Sequence, residues 1–154
     1  MRVRVHWTVQ FVLVGRMALA ALLGFAIGLE REYRGKSAGE RTFALLALAA
    51  AAFTGVAALL LGAQATSRVI QGVATGVGFL GAGLIFQRKP TDVRGLTTAA
   101  GAWAATAVGT AVGLGIYLGA AMGAALVLLI LEIDQIPVLR KIRERSENGG
   151  PKAS

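Results

Sequence analysis

The stretch RVIQGVATGVGFLGAGLIFQRKPTDVRGLTTAAGAWAATAVGTAVGLGIY, from Arg68 to Tyr117, decides the fold. It contains two apolar, glycine-rich segments on either side of a short polar connector, Gln87–Gly95. In a soluble helix each glycine costs about 1 kcal/mol relative to alanine. In a bilayer the backbone hydrogen bonds hold the helix regardless, and small residues let neighbouring helices approach closely. The stretch therefore predicts the tightly packed centre of a helical membrane protein, with the connector as its polar face.

The composition of the whole chain indicates the same class of protein. Of the 154 residues, 55% are hydrophobic, and the mean hydropathy of +0.65 is too high for an ordinary soluble domain. The absence of cysteine and the single histidine, His6, exclude thiolate metal sites and a histidine zinc cluster within one chain. The net charge of +8 fits contact with anionic lipid. Because no folded basic module is recognisable, nucleic acid is not an expected partner.

Five membrane spans account for the apolar segments. From Gly95 to Leu131 no residue is charged, and one helix of that length would measure about 55 Å, against a hydrocarbon core of about 30 Å. This segment must therefore hold two helices with a hairpin near Gly113–Ile116. We predict an all-α integral membrane bundle of five transmembrane helices over residues 1–133, then a short basic cytoplasmic tail, 134–154. A short link, Gly62–Ser67, separates the second and third spans. The spans are Phe11–Leu29, Thr42–Leu61, Arg68–Phe86, Leu96–Gly113 and Ile116–Ile133.

The distribution of basic residues predicts the orientation of these spans. Twelve lysines and arginines fall in the first loop, the connector and the tail, whereas Arg2, Arg4 and Arg68 fall on the other side. Since basic loops stay in the cytoplasm, the amino terminus is predicted outside and the carboxyl terminus inside.

Glycines at helical spacing predict the faces on which the helices pack. A glycine face is also where we expect a homodimer to form. A broken helix between Gly76 and Gly83 that lines a site is the alternative to close packing. The predicted packing set is Gly24, Gly28, Gly72, Gly76, Gly83, Gly115, Gly119 and Gly123.

Glu30 is the acid that the pattern singles out, because it ends the first span, where the helix dipole disfavours negative charge. Either Arg34 at i+4 or a neighbouring loop arginine compensates it, or Glu30 points into the bundle and binds a cation or a proton. Asp92, Arg94 and Thr97 around the start of the fourth span would line a polar cytoplasmic mouth with Glu30. Glu30 and Asp92 would then be ligands of a hard cation such as Mg²⁺. The alternative for Asp92 is a helix N-cap or a favourable partner of the helix dipole, and Thr97 or Thr98 could cap the helix equally well.

Two more candidates lie within the spans. Arg16 either snorkels from a span that begins near Met17, or it is paired or faces a ligand. Gln71 is one of the few side chains polar enough to line a path, whereas threonine hydroxyls usually bond to their own helix. No Ser–His–Asp arrangement and no phosphate-binding loop are found, so we do not expect an enzyme.

At these residues the sequence resembles the transmembrane domain of the MgtC/SapB family. The motifs are GLERE (Gly28–Glu32), Arg41–Thr42, GVATGVGFLGAGLIF (Gly72–Phe86), VRGLTTAAGAWAATAVG (Val93–Gly109) and GLGIY (Gly113–Tyr117). The resemblance implies a bacterial inner-membrane protein of five spans, linked to magnesium limitation, in which the soluble carboxy-terminal ACT-like domain of the best-known members is lacking. It also departs from virulence-type members at Arg88–Lys89, Thr97 and Ala104.

Two functions remain open at this point. The resemblance implies a regulatory membrane protein that acts on another membrane complex, such as the ATP synthase. The polar residues leave open a small carrier or channel for an ion such as Mg²⁺, whose mouth includes Glu30, Asp92 and Arg94.

Overall fold

The computed structural model describes residues 6–89 and 92–133, and within them it gives no account of the side chains of residues 86–89, 92 and 93. The fold is an all-α bundle of five helices. A two-stranded antiparallel ribbon of β1 and β2, Phe86–Lys89 and Asp92–Arg94, joins the third helix to the fourth. The helices are α1 (Trp7–Tyr33), α2 (Glu40–Leu60), α3 (Ala63–Leu84), α4 (Leu96–Gly113) and α5 (Tyr117–Glu132).

By length and composition, α1 and α2 are each long and apolar enough to cross a membrane, and α5 is apolar but shorter. The predicted fourth span agrees with α4 at both ends, and the hairpin between α4 and α5 lies where it was predicted. The predicted link Gly62–Ser67 is wrong, because α3 already begins at Ala63 and the hydroxyl of Thr66 donates to the carbonyl of Gly62 at 2.8 Å.

Helix α4 contacts all four other helices, and small residues bring α1 and α4 close to α2. A Cβ atom at Gly24 would lie 2.5 Å from the carbonyl oxygen of Phe43, and one at Gly28 would lie 2.5 Å from the Cα of Glu40. From α4, Gly109 meets the backbone of Ala47 in the same way. Contacts this short leave room for hydrogen only, so glycine is required at these positions. The fully buried side chains around them are mostly alanines: Ala20, Ala47, Ala51, Ala102 and Ala105.

The other predicted packing glycines do not hold this bundle together. Within the described part of the chain, a Cβ at Gly72, Gly76 or Gly83 would meet no atom within 4 Å, so these three could pack closely only against another molecule. Helix α3 runs unbroken through Gly76–Gly83, which rules out the broken-helix alternative.

The predicted glycine seam of α5 is also not a close-packing face. Gly115 lies in the turn before α5, with φ +85°. A Cβ at Gly119 would meet its own neighbour Ile116, and one at Gly123 would make an ordinary contact with Val108 at 3.7 Å. Gly109 and Gly113 of α4 make the close contacts instead, which the sequence analysis did not assign to them.

Candidate functional site

The candidate site is a cluster of charged side chains where α1 and α5 end, called here the charged cluster: Glu30, Arg31, Arg34 and Glu132. Glu30 and Arg31 lie in the last turns of α1, and their side chains are only 8% and 3% exposed. The Nη2 of Arg31 donates to Oε1 of Glu30 at 2.6 Å, and its Nε donates to Oε2. Such a two-point contact between guanidinium and carboxylate is the strongest form of ion pair.

Arg34 joins this pair to α5. Its Nε lies 2.5 Å from Oε1 of Glu30, and its Nη2 donates to Oε2 of Glu132 at 2.7 Å. The hydrogen bond to Glu132 is the main cause that raises the pKa of Arg34 above its ordinary value, and Glu30 adds to it. Because Glu132 is the last residue of α5, the charged cluster fixes the ends of two helices to each other.

The electrostatics of the charged cluster favour a structural role. Two arginines face two carboxylates, and both oxygens of Glu30 accept hydrogen bonds or ion pairs from guanidinium groups. A cation bound at Glu30 would have to displace Arg31 and Arg34. Of the alternatives for Glu30, the structure thus shows compensation by arginines, namely Arg34 at i+4 and the neighbouring Arg31.

The connector residues predicted to join Glu30 are placed as follows. Asp92 lies in β2, and Arg94 ends that strand with an exposed side chain. Thr97 is exposed on the first turn of α4. The N-cap of α4 is Gly95, so the interpretation of Asp92 or Thr97 as N-cap is wrong. Gly95 has φ +91°, and the carbonyl oxygen of Leu84 occupies the place of a Cβ, which only glycine allows.

The two candidates within the spans have different surroundings. Arg16 is half-buried at the opposite end of the bundle, where its Nη1 donates to the carbonyl of Gly113 at 2.7 Å and its Nε donates to the hydroxyl of Tyr117 at 3.0 Å. Arg16 is therefore paired. Gln71 is exposed on α3. No group of three or more histidine, aspartate or glutamate side chains that could hold a metal ion occurs in the described ranges 6–89 and 92–133.

A cavity lies at the start of α2. It has a volume of about 300 Å³ and is lined by Glu32, Gly39, Glu40, Arg41 and Thr42. The carboxylate of Glu32 occupies the place of a Cβ on Gly39. Arg41 and Glu40 approach to 3.7 Å, and Arg41 is largely exposed. Solvent screens such a pair, so it contributes little stability.

Comparison with known proteins identifies the family. The sequence pattern of the MgtC family matches residues 17–137. SrpB of Synechococcus elongatus is 48% identical over 107 residues, which cover 61% of this chain and 59% of SrpB. Protein MgtC of Brucella abortus is 46% identical over 93 residues, 60% of this chain and 39% of that protein. "Putative magnesium transporter YhiD" of Escherichia coli K12 is 40% identical over 135 residues, 82% of this chain and 61% of that protein.

The chain thus spans between about two fifths and three fifths of the length of these relatives. No solved structure matches it. None of the three names describes an enzyme. The matched pattern covers all of α2 to α5 and α1 from Met17 onward. This chain is a membrane protein that belongs to the MgtC family.

Proposed function

We propose that the chain is a non-catalytic regulatory protein of the bacterial inner membrane, linked to magnesium and ion homeostasis, which binds another membrane complex such as the ATP synthase. One observation carries this proposal: Glu30 and three of the threonines that could serve a passing ion are engaged within the chain. Both oxygens of Glu30 face arginines. The hydroxyls of Thr54, Thr75 and Thr106 donate to carbonyls four residues earlier in their own helices. Ion transport requires polar groups in the membrane that can exchange partners.

The proposed binding surface is the end of the bundle that carries the charged cluster. Basic side chains concentrate there, which supports a cytoplasmic location for this end and an outside location for the start of α1. Tyr33 projects from the same end with 93% of its surface exposed. Exposed tyrosine and arginine are the residue types that dominate binding energy at protein interfaces.

The test measures ATP-driven proton pumping in inverted bacterial membrane vesicles with a pH-sensitive dye. We expect slower acidification in vesicles that contain the chain, at unchanged amounts of ATP synthase. Tyr33→Ser should restore the rate, and Trp7→Ser, which removes another exposed aromatic side chain at the opposite end, should not. Equal acidification with and without the chain, and no co-purification of the ATP synthase, would contradict this partner.

The name of the E. coli relative favours a second candidate, a small Mg²⁺ carrier. The residues fit this function less well, because the carboxylate of Glu30 is held by Arg31 and Arg34. The purified chain would be reconstituted into liposomes that contain a magnesium-sensitive dye, together with Glu30→Gln and Asp92→Asn. Saturable uptake that both substitutions abolish would support the carrier. Uptake no faster than in empty liposomes, from protein shown to be folded, would exclude it.

A further inference from the structure

An apolar groove runs between α2 and α3 on the outside of the bundle. Its volume is about 490 Å³, and Phe53 and Leu46 of α2 face Gly72, Gly76 and Leu80 of α3 across it. Helix α3 is held loosely beside this groove, since Thr66 and Val77 are its only buried residues, and the structure describes this helix throughout. The groove therefore opens toward the surroundings of the bundle, which in a membrane protein are lipid.

On the α3 side, the wall of the groove has no side chain at two positions, Gly72 and Gly76. No described atom lies within 4 Å of a Cβ built at Gly72 or Gly76. The width of the groove thus results from the missing side chains of these two glycines. A larger residue at either position would fill the groove without meeting another part of the chain.

Arg68 stands at one end of the groove. Arg68, Gly72, Gly76 and Leu80 are spaced by four residues and so form one row along α3. The last three line the groove, and Arg68 is exposed one turn beyond it. One guanidinium therefore lies at the mouth of an otherwise apolar channel.

The mouth lies at the depth of the lipid headgroups. Arg68 precedes the end of α3 at Leu84 by 16 residues, which is about 24 Å along a helix. The hydrocarbon core is about 30 Å thick, and an arginine side chain extends toward the nearer interface. With the connector at one membrane surface, the guanidinium of Arg68 thus reaches the headgroups of the opposite leaflet.

We propose that this groove binds one anionic phospholipid, with an acyl chain between Phe53 and Gly76 and the phosphate on Arg68. Charge complementarity selects this occupant. A second copy of the chain that packed through Gly72 and Gly76 about a two-fold axis would bring the two Arg68 side chains together, about one turn from the crossing point. Like charges at such a distance repel each other, whereas a phosphate neutralises the arginine.

The test uses a fluorescent reporter inside the groove, Phe53→Trp, in a chain that also carries Trp7→Phe and Trp103→Phe. The protein is placed in phosphatidylcholine vesicles that contain a small fraction of lipid with a brominated acyl chain, which quenches tryptophan on contact. We expect brominated phosphatidylglycerol to bind about five-fold more tightly than brominated phosphatidylcholine, which is the ratio expected for one basic side chain near an anionic charge.

Three variants examine the parts of the site. Arg68→Gln should abolish the preference for phosphatidylglycerol, and the matched control Lys36→Gln, which removes an exposed charge at the opposite end, should retain it. Gly76→Leu should reduce quenching by both lipids at an unchanged melting temperature. Equal quenching by the two lipids, or a preference that survives Arg68→Gln, would overturn the proposal.

A second copy in the groove would give a different result. Because the chain has no cysteine, Gly72→Cys introduces a unique thiol on the α3 wall of the groove. Oxidation in vesicles at a high ratio of lipid to protein should leave this variant monomeric. An efficient disulfide dimer, together with a reporter that neither brominated lipid quenches, would show that protein and not lipid covers the groove.

Discussion

Arg16 of α1 donates a hydrogen bond from Nη1 to the main-chain carbonyl of Gly113, the last residue of α4, at 2.7 Å. Carbonyls in the last turn of a helix lack partners within that helix, and the negative end of the helix dipole attracts a cation. The guanidinium also lies 5.9 Å from the centre of the Tyr117 ring. The arginine within the first span is thus a bridge between three helices and not a lipid-exposed charge.

Replacing this arginine tests the bridge. Arg16→Gln should lower the free energy of unfolding by about 1 to 2 kcal/mol, because a charged hydrogen bond to the end of α4 is lost. Unfolding in mixtures of dodecyl maltoside and sodium dodecyl sulfate measures the change. Tyr117→Phe, which removes only the longer hydrogen bond of 3.0 Å, should have a smaller effect. Equal stability of Arg16→Gln and the unmodified chain would indicate that the side chain faces lipid.

Two glycines with opposite surroundings give a second prediction. Gly24→Ala should destabilise the bundle by about 1 to 3 kcal/mol, since the new Cβ would lie 2.5 Å from the carbonyl of Phe43 and force α1 away from α2. At Gly76 no described atom lies within 4 Å of an added Cβ. Gly76→Ala should therefore leave the free energy of unfolding unchanged or raise it by less than about 1 kcal/mol. The same detergent titration compares the two variants, and a larger loss in Gly76→Ala would be inconsistent with the structure.

The buried ion pair gives a third prediction. Glu30→Gln should cost about 3 kcal/mol or more, because Arg31 keeps its charge at 3% exposure with its main partner gone. The double variant Glu30→Gln/Arg31→Gln should recover part of this loss, since no unpaired charge remains. A double variant as unstable as the sum of both single changes would argue against the pairing.

The exposed half of the charged cluster should behave differently. Glu132 is 53% exposed, so its pair with Arg34 is screened by solvent and salt. A double-mutant cycle with Arg34→Gln and Glu132→Gln should give a coupling energy of about 0.2 to 1 kcal/mol at low salt. The coupling should shrink further in about 1 M sodium chloride, where the screening length is about 3 Å. A coupling energy that does not depend on salt would indicate that the ion pair is shielded from solvent.

The proposed orientation can be examined with single cysteines, because the chain has none of its own. Ser37→Cys lies in the exposed loop after α1, and Gln64→Cys is exposed at the start of α3. In intact cells an impermeant maleimide should label the second variant only, and in inverted vesicles the first only. The reverse pattern would place the charged cluster outside.

The sequence was sufficient to predict the number of helices and the limits of α4, because a charge-free segment too long for one span must turn, and Gly113–Gly115 are the residues suited to a turn. The start of α3 was missed because Gly62–Ser67 is polar enough to resemble a loop. In the structure the hydroxyl of Thr66 donates a hydrogen bond to the carbonyl of Gly62, within the first turn of α3.

The packing partners could not be read from spacing alone. Gly24 and Gly76 occur in similar patterns, but only the first faces a neighbouring helix, and which face of a helix is covered depends on the arrangement of all five. The burial of Arg31 at the candidate site could not be predicted from residue spacing either. In the sequence this arginine is one of several loop charges, and its burial depends on the arrangement of the helices, which no local pattern contains.

The level at which Arg16 meets Gly113 has a consequence for the membrane itself. Helix α1 continues for nine residues on the far side of Arg16, from Trp7 to Gly15, so its 27 residues extend about 40 Å, against about 27 Å for the 18 residues of α4. Exposed apolar side chains such as Phe11 and Val14 cover the excess. Lipids around this protein therefore meet two hydrophobic thicknesses, and the bilayer must thin beside α4 or α1 must tilt.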